Sequence, residues 1–179
     1  IPRFETELLV ELTIKKTKKI FKDKVDILDL GTGSGCIAIT LKKKLGSKIE
    51  ISAVDISKAA LEVAEDNAKE NDVEIKFYHG DMLEPLEQKY DLIISNPPYI
   101  RKDEEIMKIV RDNEPAIALY ADNEGLANYE KILSKAKEYL NQRNMIAFEI
   151  GWWQGDKVIQ IIKKYFPNAL IRVEKDLQE

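Results

Sequence analysis

The sequence predicts an α/β protein built on a doubly wound, mainly parallel sheet. Three observations predict it. Short apolar runs of strand length alternate along the whole chain with amphipathic segments of helical period, the order that threads parallel strands through helical crossovers. Leu92, Ile93 and Ile94 form a continuous apolar run, the pattern of a strand covered on both faces. That run stops at Pro97-Pro98, which cannot donate ladder hydrogen bonds, so the chain leaves the sheet at a carboxyl edge.

Taken in order, Pro2-Arg3-Phe4-Glu5-Thr6-Glu7 leads into a first helix carrying Leu8, Leu9, Leu12 and Ile20. Thr6 is read as its cap, with neighbouring acids favouring the positive end. Val25 to Leu30 is the first strand. Gly31-Thr32-Gly33-Ser34-Gly35 follows at once, and Cys36-Ile37-Ala38-Ile39 opens a helix. Glu50 to Val54 is the second strand, ending at Asp55. Ser57 caps the next helix, whose inner side is read as Ala60, Leu61, Val63, Ala64 and Ala68. Val73, Ile75 and Phe77 alternate as a third strand ending near Gly80-Asp81-Met82, and Tyr90 to Ser95 is the fourth. Residues 106–110 read as a short helix and Asn113-Glu114-Pro115 as a break. Residues 128–140 are helical, with Ile132, Leu133, Ala136 and Leu140 on one side. Residues 145–150 form the fifth strand, residues 158–165 a helix and residues 170–173 a sixth strand. Trp152 and Trp153 are read as aromatic core packing. No internal repeat or linker divides the chain, so residues 1–179 are expected to form one domain.

The bulk numbers exclude several function classes. The chain has 179 residues, 34% of them charged, with a net charge of −4; nucleic-acid grip usually shows a basic excess instead. Lys15, Lys16, Lys18, Lys19, Lys22 and Lys24 read as the solvated side of the first helix and its exit. Cys36 is the single cysteine and His79 the single histidine. No intrachain disulfide is possible, a reducing cytoplasm fits, and a zinc site has no ligand cluster to use. No apolar run approaches membrane-spanning length and no signal peptide is recognisable. A chain opening on Ile1 reads as part of a longer protein.

Two stretches carry chemistry. The glycine turn after the first strand exposes backbone at a helix amino end, and Asp55, twenty residues beyond Gly35, can accept both ribose hydroxyl protons. A dinucleotide fingerprint requires Gly-x-Gly-x-x-Gly, but here the sixth position is Cys36. The Gly-x-Gly-x-Gly spacing resembles the first motif of class I S-adenosylmethionine-dependent methyltransferases; a structural tight turn is the alternative. Asp81 and Met82 end the third strand, where a polar group can reach an adenine amine and a thioether can pack on the ring, or Met82 can simply fill core. Asn96-Pro97-Pro98-Tyr99 sets an amide and two carbonyls beside an aromatic ring. These rigid acceptors suit a planar NH2 group, and a plain Asn-Pro-Pro turn is the alternative.

Together these segments resemble the methyltransferases that modify planar nitrogens, and further ones narrow the family. Pro2-Arg3-Phe4-Glu5-Thr6-Glu7 is similar to the opening motif of the release-factor glutamine methyltransferases, the HemK/PrmC family, with Phe4 where the family usually has proline. Asp29-Leu30-Gly31-Thr32-Gly33-Ser34-Gly35 is similar to its cofactor turn. Glu114-Pro115, Ala118-Leu119, Gly125-Leu126, Glu149-Ile150-Gly151, Gln154-Gly155 and Lys175-Asp176-Leu177 match further family segments. The family's helical amino-terminal domain and its closing antiparallel strand lie outside residues 1–179.

The resemblance implies S-adenosyl-L-methionine as cofactor and S-adenosyl-L-homocysteine as product, bound by Gly31, Thr32, Gly33, Ser34, Gly35, Asp55, Ile56, Asp81, Met82 and Asn96. It implies substrate contact by Asn96, Pro97, Pro98 and Tyr99. The reaction implied is methylation of N5 of the glutamine in the Gly-Gly-Gln loop of a class-1 peptide-chain release factor, in the cytoplasm, with no metal or membrane. Glutamine methylation of a ribosomal protein, amino methylation of adenine or guanine in DNA or rRNA, and a non-catalytic cofactor-binding domain are the alternatives.

Overall fold

The computed structural model describes residues 4–101 and 116–175. In chain order these form α1 (Phe4–Ile20), β1 (Val25–Leu30), α2 (Cys36–Leu45), β2 (Ile49–Asp55), α3 (Lys58–Glu70), β3 (Lys76–His79), β4 (Tyr90–Ser95) and β5 (Ile100–Arg101). After residue 115 follow α4 (Ala116–Leu119), β6 (Tyr120–Ala121), α5 (Asp122–Gly125), α6 (Ala127–Tyr139), β7 (Leu140–Phe148) and α7 (Gly155–Tyr165). The chain divides into two compact units, residues 1–96 with 138–149, and residues 97–137 with 150–179.

The first unit is built on a five-stranded parallel sheet ordered β3-β2-β1-β4-β7. Successive strands run outward from β1 to β3, and the direction reverses between β1 and β4. The doubly wound α/β class is therefore the one found, and its topological switch point lies between β1 and β4. Registers such as Leu30↔Val54, Leu30↔Ser95, Asp55↔His79 and Ser95↔Phe148 bring every strand's carboxyl end to one edge. Ile27, Leu28, Leu30, Leu92, Ile93 and Ile94 are completely buried, as the continuous apolar runs require. α2 lays Ile37, Ala38, Leu41 and Leu45 into this core beside Val10 of α1 and Phe21.

The second unit holds the short parallel pair β5–β6 and the helices α6 and α7. Tyr129, Ile132, Leu133 and Ala136 are the buried stripe of α6, and Val158 and Ile161 that of α7. Glu130 accepts from Lys164 Nζ at 2.5 Å and from Tyr165 Oη at 2.6 Å. Among the described residues no helix is long and apolar enough to cross a membrane.

Several expectations are corrected. Thr6 is not a cap: α1 begins at Phe4, so Thr6 lies inside the helix and its hydroxyl donates to Glu149 Oε2 at 2.7 Å. Val63 is half-exposed, because it sits two residues, about 200°, from Leu61 on a helix whose buried stripe is Leu61, Ala64 and Ala68. The third strand starts at Lys76 rather than Val73, since pairing with β2 begins at Ser52. The fifth expected strand starts early, at Leu140, and bulges between Leu140 and Met145, opposite Tyr90 and Leu92 of β4, where residues 142–144 are exposed. Residues 170–173 form no strand; Leu170 and Val173 are exposed and no ladder partner meets them among the described residues, and β-propensity without a partner does not make a strand. Trp152 is 83% exposed, not core, because the Gln154 N–H to Gly151 carbonyl turn throws it outward against the edge of Trp153. Pro2, Arg3, the helix expected at 106–110, the break at Asn113-Glu114-Pro115, and Asp176-Leu177 lie outside the described residues.

Candidate active site

The glycine turn leaves β1 at Leu30 and is pinned by its backbone. The N–H groups of Gly31 and Thr32 both donate to the Val54 carbonyl, at 2.9 and 3.0 Å, and Gly35 N–H donates to the Thr32 carbonyl at 2.9 Å. Gly31, Gly33 and Gly35 all adopt positive φ, 70°, 57° and 80°. Their surroundings differ. A Cβ on Gly35 would stand 3.1 Å from the Ala64 side chain and 3.2 Å from Ile39, so that glycine lets α2 start close against α3. A Cβ on Gly31 or Gly33 would meet nothing within 4 Å. Those two present bare backbone to open space, which leaves room for a ligand to approach.

Asp29 lies beneath this turn and is completely buried. Its Oδ2 accepts from the Thr32 hydroxyl at 2.7 Å, while Oδ1 has no hydrogen-bond partner. Burial raises its pKa to about 7, against the opposing pull of the Thr32 hydroxyl and, more weakly, the Ala38 N–H. Cys36, at the start of α2, is half-buried, and burial, aided by the nearby Asp29, holds its thiol above the usual range.

Asp55 ends β2 and joins two loops. Its Oδ2 accepts from Gly33 N–H at 2.8 Å and its Oδ1 from Ser57 N–H at 2.9 Å. Each oxygen keeps capacity for a second donor. Ser57 caps α3 as expected, accepting from Ala60 N–H. Ile56 is 47% exposed beside this carboxylate, and its carbonyl meets His79 Nε2 at 3.0 Å. The Gly80 N–H donates to the Asp55 carbonyl at 3.0 Å, which ties the half-buried Asp81 and Met82 to the same edge.

Asn96 follows β4, one residue beyond the Ser95 that faces Leu30 across the switch point. Ser95 Oγ donates to the Leu30 carbonyl at 2.7 Å, locking the start of the loop to the end of β1. The half-buried Asn96 amide donates through Nδ2 to Thr6 Oγ1 at 3.1 Å. The expected residues 31–35, 55, 56, 81, 82 and 96 thus share one edge of the first unit.

Pro97, Pro98 and Tyr99 belong to the second unit, where their backbone is held firmly. Asn128 Nδ2 donates to the Pro98 carbonyl at 2.9 Å, and Gln154 Nε2 to the Tyr99 carbonyl at 3.3 Å. Gln154 is completely buried and accepts from Gly151 N–H at 3.0 Å. Gly125, at φ 79°, packs so tightly that a Cβ there would lie 2.0 Å from the Tyr99 carbonyl oxygen. Sequence reasoning missed Asp29, Thr6, Glu149, Asn128 and Gln154 as contributors. Several sat inside family-like segments, but no local rule assigned them a partner. Among the described residues no group of three or more His, Cys, Asp or Glu side chains could hold a metal ion.

Comparison with known proteins adds identity to this geometry. The family described as methyltransferase small domain matches residues 4–114. The chain is 41% identical to the release factor glutamine methyltransferase of Bacillus subtilis, across 99% of its own length and 64% of that protein's. It is likewise 41% identical to that of Lactococcus lactis, across 99% and 65%. It therefore spans less than two thirds of the length of these curated relatives. A ribosomal protein L11 methylase from Lactobacillus delbrueckii superposes with a TM-score of 0.68 at 24% identity, over 91% of this chain and 69% of that one, a likeness of fold. The resemblance read from the motifs is borne out, as is the fold class.

Proposed function

The chain belongs to the methyltransferase small domain family, and on that premise we propose that it methylates N5 of the glutamine in the Gly-Gly-Gln loop of a class-1 peptide-chain release factor, with S-adenosylmethionine as donor. The relatives that carry this activity in their names support the substrate. One observation carries the site: Asn96 stands across the β1/β4 switch point from a glycine turn whose Gly31 and Gly33 open onto empty space, the place where parallel sheets bind ligands. The same reading takes residues 1–179 as one catalytic domain working in the cytoplasm.

The residues present fit the cofactor. Gly31 and Gly33 leave room for a ligand against the backbone, and Asp55 has acceptor capacity for ribose hydroxyls. Thr32, Ser34 and Gly35 complete the turn, Ile56 and Met82 offer apolar surface to the adenine, and Asp81 its carboxylate to the amine. Bound here, the cofactor supplies an electrophilic sulfonium methyl.

The chain's own part is positional. An amide nitrogen is a poor nucleophile because its lone pair is delocalised into the carbonyl. Asn96 Oδ1 and the Pro97 carbonyl accept its two hydrogens, which aims the lone pair and favours the charge that builds on nitrogen in the transition state. The Pro98 carbonyl already accepts from Asn128, which holds the loop in place. Tyr99 packs on the amide plane, and the surplus proton leaves to solvent. Fixed acceptors of this kind are worth several kcal/mol, roughly 3 each.

Mass spectrometry of a release factor incubated with this chain and S-adenosylmethionine tests the reading, beside a control factor lacking the loop glutamine. One added methyl, absent from the control, is expected. Asn96→Ala should bind cofactor normally and transfer about 10²- to 10³-fold more slowly; transfer at the parent rate removes Asn96 from this role. Methylation of RNA or DNA in place of the factor would move the substrate to a nucleobase amine.

A further inference from the structure

Asn96 is held by two side chains remote from it in sequence. Its Nδ2 donates to the hydroxyl of Thr6, 90 residues away, and that hydroxyl donates to Oε2 of Glu149, a further 143 residues along. Glu149 is itself fixed: its N–H donates to the Ser95 carbonyl at 3.1 Å, next to Asn96 in the chain. The bonds close a ring from Ser95 through Glu149, Thr6 and Asn96 back to Ser95. Thr6 and Glu149 are only 6% and 8% exposed, so water does not compete for these groups.

We propose that Thr6, held by Glu149, is a positioning residue that fixes which way the Asn96 amide points. A hydroxyl has one proton, and here it goes to the Glu149 carboxylate. Towards Asn96 the Thr6 oxygen can then only accept. An acceptor selects the NH2 end of the amide, so Oδ1 is turned away from Thr6. The opposite orientation sets the carbonyl oxygen against the Thr6 lone pairs and forfeits a buried hydrogen bond. A site whose Asn96 presents Oδ1 accepts hydrogens from a planar NH2 and rejects a carbonyl in the same place. Thr6 therefore contributes to choosing the amide nitrogen over the amide oxygen of a glutamine. This rests on the proposed role of Asn96, and extends it to a buried residue that acts through Asn96.

The test uses the parent chain, Thr6→Val, which keeps the shape and removes the hydroxyl, and Thr6→Ser, which restores it. Two readouts separate positioning from folding. Nuclear magnetic resonance of the Asn96 side-chain NH2 should show one proton protected from exchange in the parent and in Thr6→Ser, and unprotected in Thr6→Val. With substrate, Thr6→Val should lose about ten- to a hundredfold in kcat while cofactor affinity stays within about twofold, and Thr6→Ser should recover most of it. An unprotected Asn96 NH2 in the parent, or protection that survives in Thr6→Val, overturns the proposal, and the parent measurement stands even if Thr6→Val fails to fold. If the parent methylates no factor, the substrate reading falls, while the NH2 signals still decide the role of Thr6.

Discussion

Asp29 shows how one buried atom couples the site to stability. Its carboxyl ordinarily titrates near 3.8 and is raised by burial to about 7. The folded protein thus holds a proton that the unfolded chain releases between those values. The contribution to stability is complete below about pH 4 and is lost as pH rises through about 7. Between about pH 5 and pH 8 the cofactor-free protein should lose about 2–3 kcal/mol from this group. Urea unfolding midpoints of the parent should fall across that interval, and those of Asp29→Asn should fall much less. Parallel profiles would place the pH dependence elsewhere. The sequence showed Asp29 only as part of a motif. Its isolation depends on what covers β1, which is set by packing from residues far along the chain.

At the scale of elements, two glycines with similar backbone angles should respond differently to alanine. Gly31 at φ 70° would place its Cβ in open space, whereas Gly125 at φ 79° would drive its Cβ into the Tyr99 carbonyl. Gly31→Ala should fold with a loss of about 1–2 kcal/mol from the left-handed backbone alone, yet bind S-adenosylmethionine poorly because the methyl occupies the ligand's space. Gly125→Ala adds a backbone clash that no side-chain rotation relieves. It should cost about 2–4 kcal/mol, read as a lowered thermal midpoint. A Gly125→Ala protein as stable as Gly31→Ala would show that the β5–β6 region yields easily. The same contrast explains what the sequence could reveal of the elements. β1 and β4 were legible because dense apolar runs and their breakers are local signals, and Val25–Leu30 and Tyr90–Ser95 stand where expected. The third and fifth strands shifted because their limits are set by partners, Ser52 for one and Tyr90 for the other. Residues 170–173 had the composition of a strand without a ladder to join.

For the whole molecule, the legible part of the site was the part a single turn must build. The glycine turn, Asp55 and Asn96 follow directly after strands, so topology alone brings them to one edge. The groups that hold them came from elsewhere: Thr6 and Glu149 are 143 residues apart, and they meet because β7 pairs with β4 and α1 packs against β7. That distribution makes ligand binding a test of the entire arrangement. A ligand that binds only the folded chain stabilises it by mass action, about 2.7 kcal/mol at a concentration one hundred times its Kd. In a chain of this size that corresponds to a rise of about 5–10 °C in thermal midpoint. S-adenosylmethionine should produce such a rise. Asp55→Ala should lose most of it, because it removes the ribose acceptor and also frees the N–H groups of Gly33 and Ser57 that the carboxylate holds. A nucleotide lacking the methionine portion should give a smaller rise in the parent and none in Asp55→Ala. Equal shifts in the parent and Asp55→Ala would mean that the cofactor is bound away from this edge, and the assignment of residues 31–35, 55, 56, 81 and 82 would have to be abandoned together.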